Sequence, residues 1–150
     1  MLKELLSLEE IRQLRNSQKD LDIFFVVTFY NQEKHSAYNE FRYQIMKEIR
    51  EDRNIRSVVG VVSHEKLPSK YAEFQVEPYS LREYLSRIAK ARVAIYVRGL
   101  HDCLSFKFGQ LLSLGMPIVG QRIRNNPLPG FQRKRHATFN EDITIGHKGA

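Results

Sequence analysis

Apolar residues fall along this chain in two ways, as short unbroken runs and as stripes at helical spacing, and the two alternate. Leu2, Leu5, Leu6, Ile11 and Leu14 recur at helical spacing, and Ser7-Leu-Glu-Glu10 has the Ser-x-x-Glu form of a capping box. The spacing predicts an amphipathic helix, or two turns broken near Ser7, ending by Asn16. Asp22 to Tyr30 is a continuous apolar run rich in β-branched and aromatic residues, the pattern of a strand buried on both faces. Tyr38, Phe41, Ile45, Met46 and Ile49 form one helical stripe, and Ser57 to Ser63 is a second buried strand.

A looser stretch from His64 to Ala72, interrupted by Pro68, leads to Glu73-Phe-Gln-Val-Glu77, whose alternation predicts a short edge strand. Ser80-Leu-Arg-Glu83 is a second capping box, with Tyr79 and Tyr84 placed for a hydrophobic staple and Leu81, Leu85 and Ile88 on the inward stripe. Arg92 to Arg98 is a third buried strand, followed by a loop from Gly99. Ser105 to Leu114 reads as a helix stopped by Gly115 and Pro117, and Pro117 to Gly120 begins a last core strand. Beyond Asn125 no period persists, and residues 125–150 read as an irregular or truncated end.

Strands alternating with helices, and apolar runs in place of in/out alternation, predict α/β architecture around a parallel sheet with right-handed crossovers. Ligands of such sheets bind beyond the carboxyl ends of the strands, near the point where the strand order reverses. That rule singles out two loops, Thr28–Ser36 and Gly99–Ser105. At 150 residues the chain is one domain's worth, able to bury about 70% of its unfolded surface. A single cysteine, Cys103, excludes an internal disulfide and a cysteine-built zinc site. His64, His136 and His147 have no partners at metal-ligand spacing, so neither metal nor cofactor is expected. No apolar run reaches the ~18 residues of a membrane helix, and acids stand near the N-terminus where a secretory signal is apolar. The expected compartment is the cytoplasm.

The formal net charge of +7 is uneven. Residues 121–150 hold Arg122, Arg124, Arg133, Lys134, Arg135 and Lys148 against only Glu141 and Asp142. Such an excess suits an anionic partner: phosphate, nucleic acid or an acidic membrane surface. The Arg133–His136 cluster reads first as a solvated run and second as a phosphate contact. Neither Gly-x-Gly-x-x-Gly nor a P-loop is present, and the first strand ends without an acidic pair. These gaps count against a dinucleotide oxidoreductase, a P-loop NTPase and a phospho-acceptor receiver.

The most informative segment runs from Gly99-Leu-His-Asp-Cys-Leu-Ser through Phe106-Lys-Phe-Gly-Gln110 to Gly115-Met-Pro-Ile-Val119: strand end, loop, helix start, helix, tight turn, strand. Free N–H groups around Cys103–Phe106 and the positive end of the helix dipole suit a diphosphate. Lys107, in the first turn, adds a point charge or is solvated. Asp102 and Gln110 can accept hydrogen bonds from sugar hydroxyls. Cys103 reads as a packing residue or backbone donor before a nucleophile, and His101 as a sugar or phosphate contact or a hydrated loop residue. An ordinary strand-loop-helix of an unrelated α/β domain is the plain alternative.

This segment resembles the donor-binding signature of GT-B glycosyltransferases of the family 1-like and exostosin-like groups. Their pattern is an acid, a short glycine-containing loop, a second acid, a small-residue turn and Leu/Met-Pro-hydrophobic-Val. The first acid falls on Asp102, the second on Gln110, and Ser113 to Val119 matches the close. Tyr84 to Tyr96 resembles the helix and strand that precede the signature. The similarity covers about residues 21–124 and is strongest over 80–123.

The resemblance implies a Rossmann-like parallel sheet flanked by helices, the C-terminal half of the GT-B fold. On that reading, residues 1–20 form an N-terminal amphipathic helix, 21–124 the donor-binding domain and 125–150 a basic tail. It implies a nucleotide-sugar as donor substrate, with His101, Asp102, Cys103, Leu104, Ser105 and Lys107 near the phosphates and sugar. Gln110 is the expected ribose ligand, and Glu77 and Tyr79 lie toward the base. Gln110 stands where the family has glutamate. The glycine-rich loop and basic pair that such enzymes often carry after the first strand of this half are not evident here, and Lys34, His35 and Arg42 are only loose substitutes. Because GT-B enzymes build their active site between two domains, a missing N-terminal acceptor domain or partner chain is implied, with turnover by this half alone in doubt. The catalytic residue and the acceptor stay unassigned. The rival reading is a non-catalytic α/β module that binds RNA or an acidic partner through the basic tail. Nucleic acid ranks behind the nucleotide-sugar, and peripheral contact with an anionic membrane stays open. A nucleoside- or sugar-processing enzyme on a flavodoxin-like fold lacks a general acid or nucleophile that the sequence can place.

Overall fold

The structure, a computed structural model, describes residues 6–123 and 136–138, of which Asp102 and 136–138 are described by their backbone alone. Its elements are α1 (Leu8–Arg15), β1 (Leu21–Thr28), α2 (Ser36–Glu51), β2 (Ser57–Val62), α3 (Leu81–Ile88), β3 (Ala91–Tyr96), α4 (Phe106–Ser113), β4 (Ile118–Gly120) and β5 (His136–Thr138). Short 3-10 turns occupy Glu33–His35, Ser69–Phe74 and Leu100–Asp102. The α/β class and the flanked parallel sheet expected from the sequence are both present.

The five strands lie in the order β2-β1-β3-β4-β5, every neighbouring pair parallel. β1 sits beside both β2 and β3, so the chain winds outward in one direction, returns across β1 and winds outward in the other. That reversal opens a crevice at the carboxyl ends of β1 and β3. β1 is buried on both faces, as its run of apolar residues requires. Phe24 and Val26 join Leu85 and Ile88 of α3 and Phe108 and Leu111 of α4 on one face. Phe25 and Val27 join Met46 and Ile49 of α2, with Tyr71 and Phe74, on the other.

Local signals account for the helix ends. Ser7 and Glu10 close a reciprocal capping box at α1, and Ser80 and Glu83 do the same at α3. α4 ends in a Schellman motif: Gly115 N–H donates to the Leu112 carbonyl at 2.9 Å and Met116 N–H to the Leu111 carbonyl at 3.2 Å. Gly115 has φ 66°, a conformation that a Cβ opposes. α1 packs onto the α3/α4 face through Leu14, an Arg82–Glu10 ion pair and an Arg15 hydrogen bond to the Ser113 carbonyl.

Two expectations are corrected. Glu73–Glu77 is not a strand: the 3-10 turn runs to Phe74, whose ring is buried, and a single parallel bridge joins Gln75 to Val61. Counting that bridge as the remnant of an outer strand, the order becomes the 3-2-1-4-5-6 of the Rossmann sheet; counting full ladders alone, it is the other doubly wound order. The second correction lies in 125–150. His136–Thr138 forms a strand there, pairing with β4 from Ile118↔His136 to Gly120↔Thr138. The rest of that segment, including Arg133–Arg135, lies outside the described residues. No described helix is long and apolar enough to cross a membrane.

Candidate functional site

β1 and β3 run in register only from Leu21↔Ala91 to Phe24↔Ala94 and part beyond it. From α4 the Lys107 side chain turns into the gap, and its ammonium donates to the Val26 carbonyl at 3.1 Å. The same ammonium lies 5.3 Å from the centroid of the Tyr84 ring. A void of about 20 Å³ remains between the parted strands, lined in part by Tyr96, Val97 and Lys107. Lys107 is thus neither solvated nor outstretched. Burial, and secondarily the charge of Arg42, lowers its pKa to about 8.

Above this gap a cleft of about 470 Å³ opens at the carboxyl edge of the sheet, within the usual size range of ligand pockets. Val26, Val27 and Thr28 of β1 form its floor, and Val62 and His64 close one end. One wall is the entry to α3: Pro78, Tyr79, Ser80, Leu81 and Tyr84. The capping box fixes that wall, with Ser80 N–H donating to the Glu83 carboxylate at 2.9 Å. Tyr79 and Tyr84 both rest on Phe24, with ring centroids 6.3 Å and 5.8 Å away. The opposite wall is the start of α4: Ser105, Phe106, Lys107 and Gln110. There Ser105 Oγ accepts from Lys107 N–H at 3.2 Å and caps the helix.

A second cation lies near the carboxyl end of β1, outside the cleft lining. Arg42, a buried residue of α2, donates to Tyr30 Oη at 2.9 Å and reaches the Thr28 carbonyl at 3.4 Å, its guanidinium stacked 4.2 Å above the Tyr30 ring. Neither Arg42 nor Lys107 has an ion-pair partner among the described residues. Two cations at one strand end, one of them carrying a depressed pKa, favour an anionic occupant.

The structure brings together Ser105, Lys107, Gln110 and Tyr79 of the sequence-predicted set. Glu77, His101, Cys103 and Leu104 are not among the residues that line the cleft. Glu77 is exposed. Cys103 is exposed, and its loop is closed on itself: Gly99 N–H donates to the Cys103 carbonyl at 3.0 Å and Cys103 N–H to the Leu100 carbonyl at 3.2 Å. Leu104 is 39% exposed. His101 has φ 58°, donates its N–H to Tyr38 Oη at 3.1 Å, and lies with its ring 6.3 Å from that of His35. It belongs to a cluster with His35 and Tyr38 beside the β1–α2 loop. Asp102 ends the Leu100–Asp102 turn.

The expected row of free amides is thinner than the motif suggests. Cys103, Lys107 and Phe108 N–H groups bond within the loop and cap, and Ser105 N–H makes a long 3.5 Å contact to Tyr96 Oη. Leu104 and Phe106 N–H have no partner among the described residues. Sequence reasoning missed Val26, Val27, His64 and the side chain of Phe106 as cleft residues. The strand-end rule points to Thr28. Nothing in the local pattern marks His64 or Phe106.

Comparison with protein-family models, with curated proteins and with solved structures gave no match.

Proposed function

We propose that the cleft holds the nucleotide-sugar donor of a glycosyl transfer, the chain acting as the donor-binding half of a GT-B-type glycosyltransferase. One observation carries the reading: a cleft at the reversal point of a doubly wound sheet has the α4 start in its wall, with the Lys107 ammonium turned down to the Val26 carbonyl, where a diphosphate finds a cation, open N–H groups and a helix dipole. The likeness of Gly99–Val119 to the donor-binding signature supports the same placement. The Val26 carbonyl takes one of the three ammonium N–H bonds of Lys107 and leaves two for phosphate oxygens. As the acceptor oxygen bonds to the anomeric carbon and the bond from that carbon to the diphosphate breaks, the already anionic diphosphate gains one further negative charge, and a prepositioned ammonium stabilises that added charge more than it stabilises the ground state. Gln110, on the same helix face as Phe106, offers an amide to ribose hydroxyls.

Calorimetric titration of the full chain with UDP, GDP and ADP at millimolar concentration tests this. At least one is expected to bind, and Lys107→Met is expected to weaken that binding by about 10- to 100-fold, the worth of a charge-assisted hydrogen bond. An unchanged circular-dichroism spectrum of the variant controls for folding. No heat from any of the three nucleotides would sink the reading.

A further inference from the structure

We propose that Phe106 is the stacking platform for the nucleobase; this rests on the reading of the cleft as a nucleotide site and adds to it the residue that grips the base. The Phe106 ring is 94% exposed, although the core of the same helix had room for a phenylalanine two positions on, where Phe108 is buried 5.0 Å from the Tyr96 ring. An apolar ring left in water forgoes the stabilisation that burial gives it, and this one lines the cleft. It occupies the first position of α4, on the same wall as Gln110 one turn on.

Tyr79 and Tyr84, the aromatic residues across the cleft, are less suited to stack, since Tyr84 already packs on Phe24 at 5.8 Å and carries the Lys107 ammonium at 5.3 Å. The Arg87 guanidinium covers the Tyr79 ring at 4.7 Å, and Phe24 packs on it at 6.3 Å. Phe106 makes no ring contact among the described residues, so its faces are free to take a planar group. The occupant must therefore offer two chemistries at once: an anion for the Lys107 ammonium and a flat, weakly polar ring for the exposed Phe106. A nucleotide carries both. Stacking on an aromatic side chain tolerates any base, because every base has a π-face. Phe106 thus supplies affinity for nucleotides as a class, while choice among bases falls to polar contacts.

The test uses the full-length chain, Phe106→Ala and Phe106→Tyr, titrated by NMR with UDP, ADP and base-free ribose 5-phosphate. Phe106→Ala is expected to weaken UDP and ADP about tenfold and to leave ribose 5-phosphate unchanged, whereas Phe106→Tyr keeps wild-type affinity. Saturation transfer from aromatic protein protons should reach the base protons in wild type and fade in Phe106→Ala. Equal affinity of wild type and Phe106→Ala for UDP and ADP overturns this inference alone. So does an equal loss for ribose 5-phosphate, which would assign Phe106 to shaping the helix start. Absence of binding by wild type to all three ligands overturns the nucleotide site itself.

Discussion

A lysine ammonium that leans on the Val26 carbonyl and the face of Tyr84, with no carboxylate paired to it among the described residues, is charged at a cost. Burial disfavours the charged form and Arg42 adds repulsion, so the pKa falls from 10.5 to about 8. The sign of the linkage follows. Between pH 8 and 10.5 the unfolded chain keeps this proton and the folded chain releases it, so this group makes stability rise with pH across that window. Below pH 8 both states are protonated and the penalty is constant. The difference in unfolding free energy between wild type and Lys107→Met is therefore expected to climb by on the order of 3 kcal/mol from pH 8 to 10.5. Urea titrations at several pH values measure it, and titrating groups common to both proteins cancel in the difference. A difference that stays flat would place the ammonium in water. This inward turn of Lys107 was not legible beforehand. Helical phase places the residue in the first turn of α4, but only the parting of β1 from β3 after Phe24 creates the space it enters.

At the scale of elements, the two capping boxes make a natural pair for comparison. Ser7–Glu10 and Ser80–Glu83 have the same chemistry and geometry, yet only Ser80 stands in a cleft wall. Ser7→Ala and Ser80→Ala are each expected to cost about 1 kcal/mol in denaturant unfolding. Only Ser80→Ala should also weaken the proposed nucleotide binding, since it frees the turn that seats Tyr79; equal binding by both variants would separate the cap from the site. Both boxes were readable because a cap is decided within four residues. The same locality made β1, β2 and β3 readable from runs such as Phe24–Val27. It failed at His136–Thr138, three residues with no apolar run, whose strand state is set by the free edge of β4. It failed again at Glu73–Glu77, where alternation is present but burial of Phe74 under Tyr43 and Arg50 is met by a 3-10 turn. In the candidate site, Ser105, Lys107 and Gln110 were legible as a helix start after a strand. Phe106 was not, because an apolar residue in an amphipathic helix is assigned to the core until its exposure is seen.

At the scale of the molecule, the sheet divides the interior into two cores, and they bear unequally on function. Phe24 and Phe25 are neighbours on β1 with nearly equal burial, 1% and 3% exposed, but they face opposite ways. Phe24 supports Tyr79 and Tyr84, hence the α3 wall of the cleft and, through Tyr84, the seat of Lys107. Phe25 packs among Met46, Ile49 and Tyr71 on the α2 side. Replacing either with leucine removes similar apolar area, so both variants are expected to lose about 1–2 kcal/mol of stability. The proposed affinity for nucleotide should fall several-fold in Phe24→Leu and stay within twofold in Phe25→Leu, measured where both are fully folded. The contrast rests on close packing: a void under Phe24 lets two tyrosines shift by tenths of an ångström, and hydrogen bonds in the cleft above are steep functions of such distances. If the two variants bind alike, the α3 wall is held by its capping box alone and the core beneath it is passive. If they part as expected, the α3/α4 core is the part of the fold that sets the shape of the site.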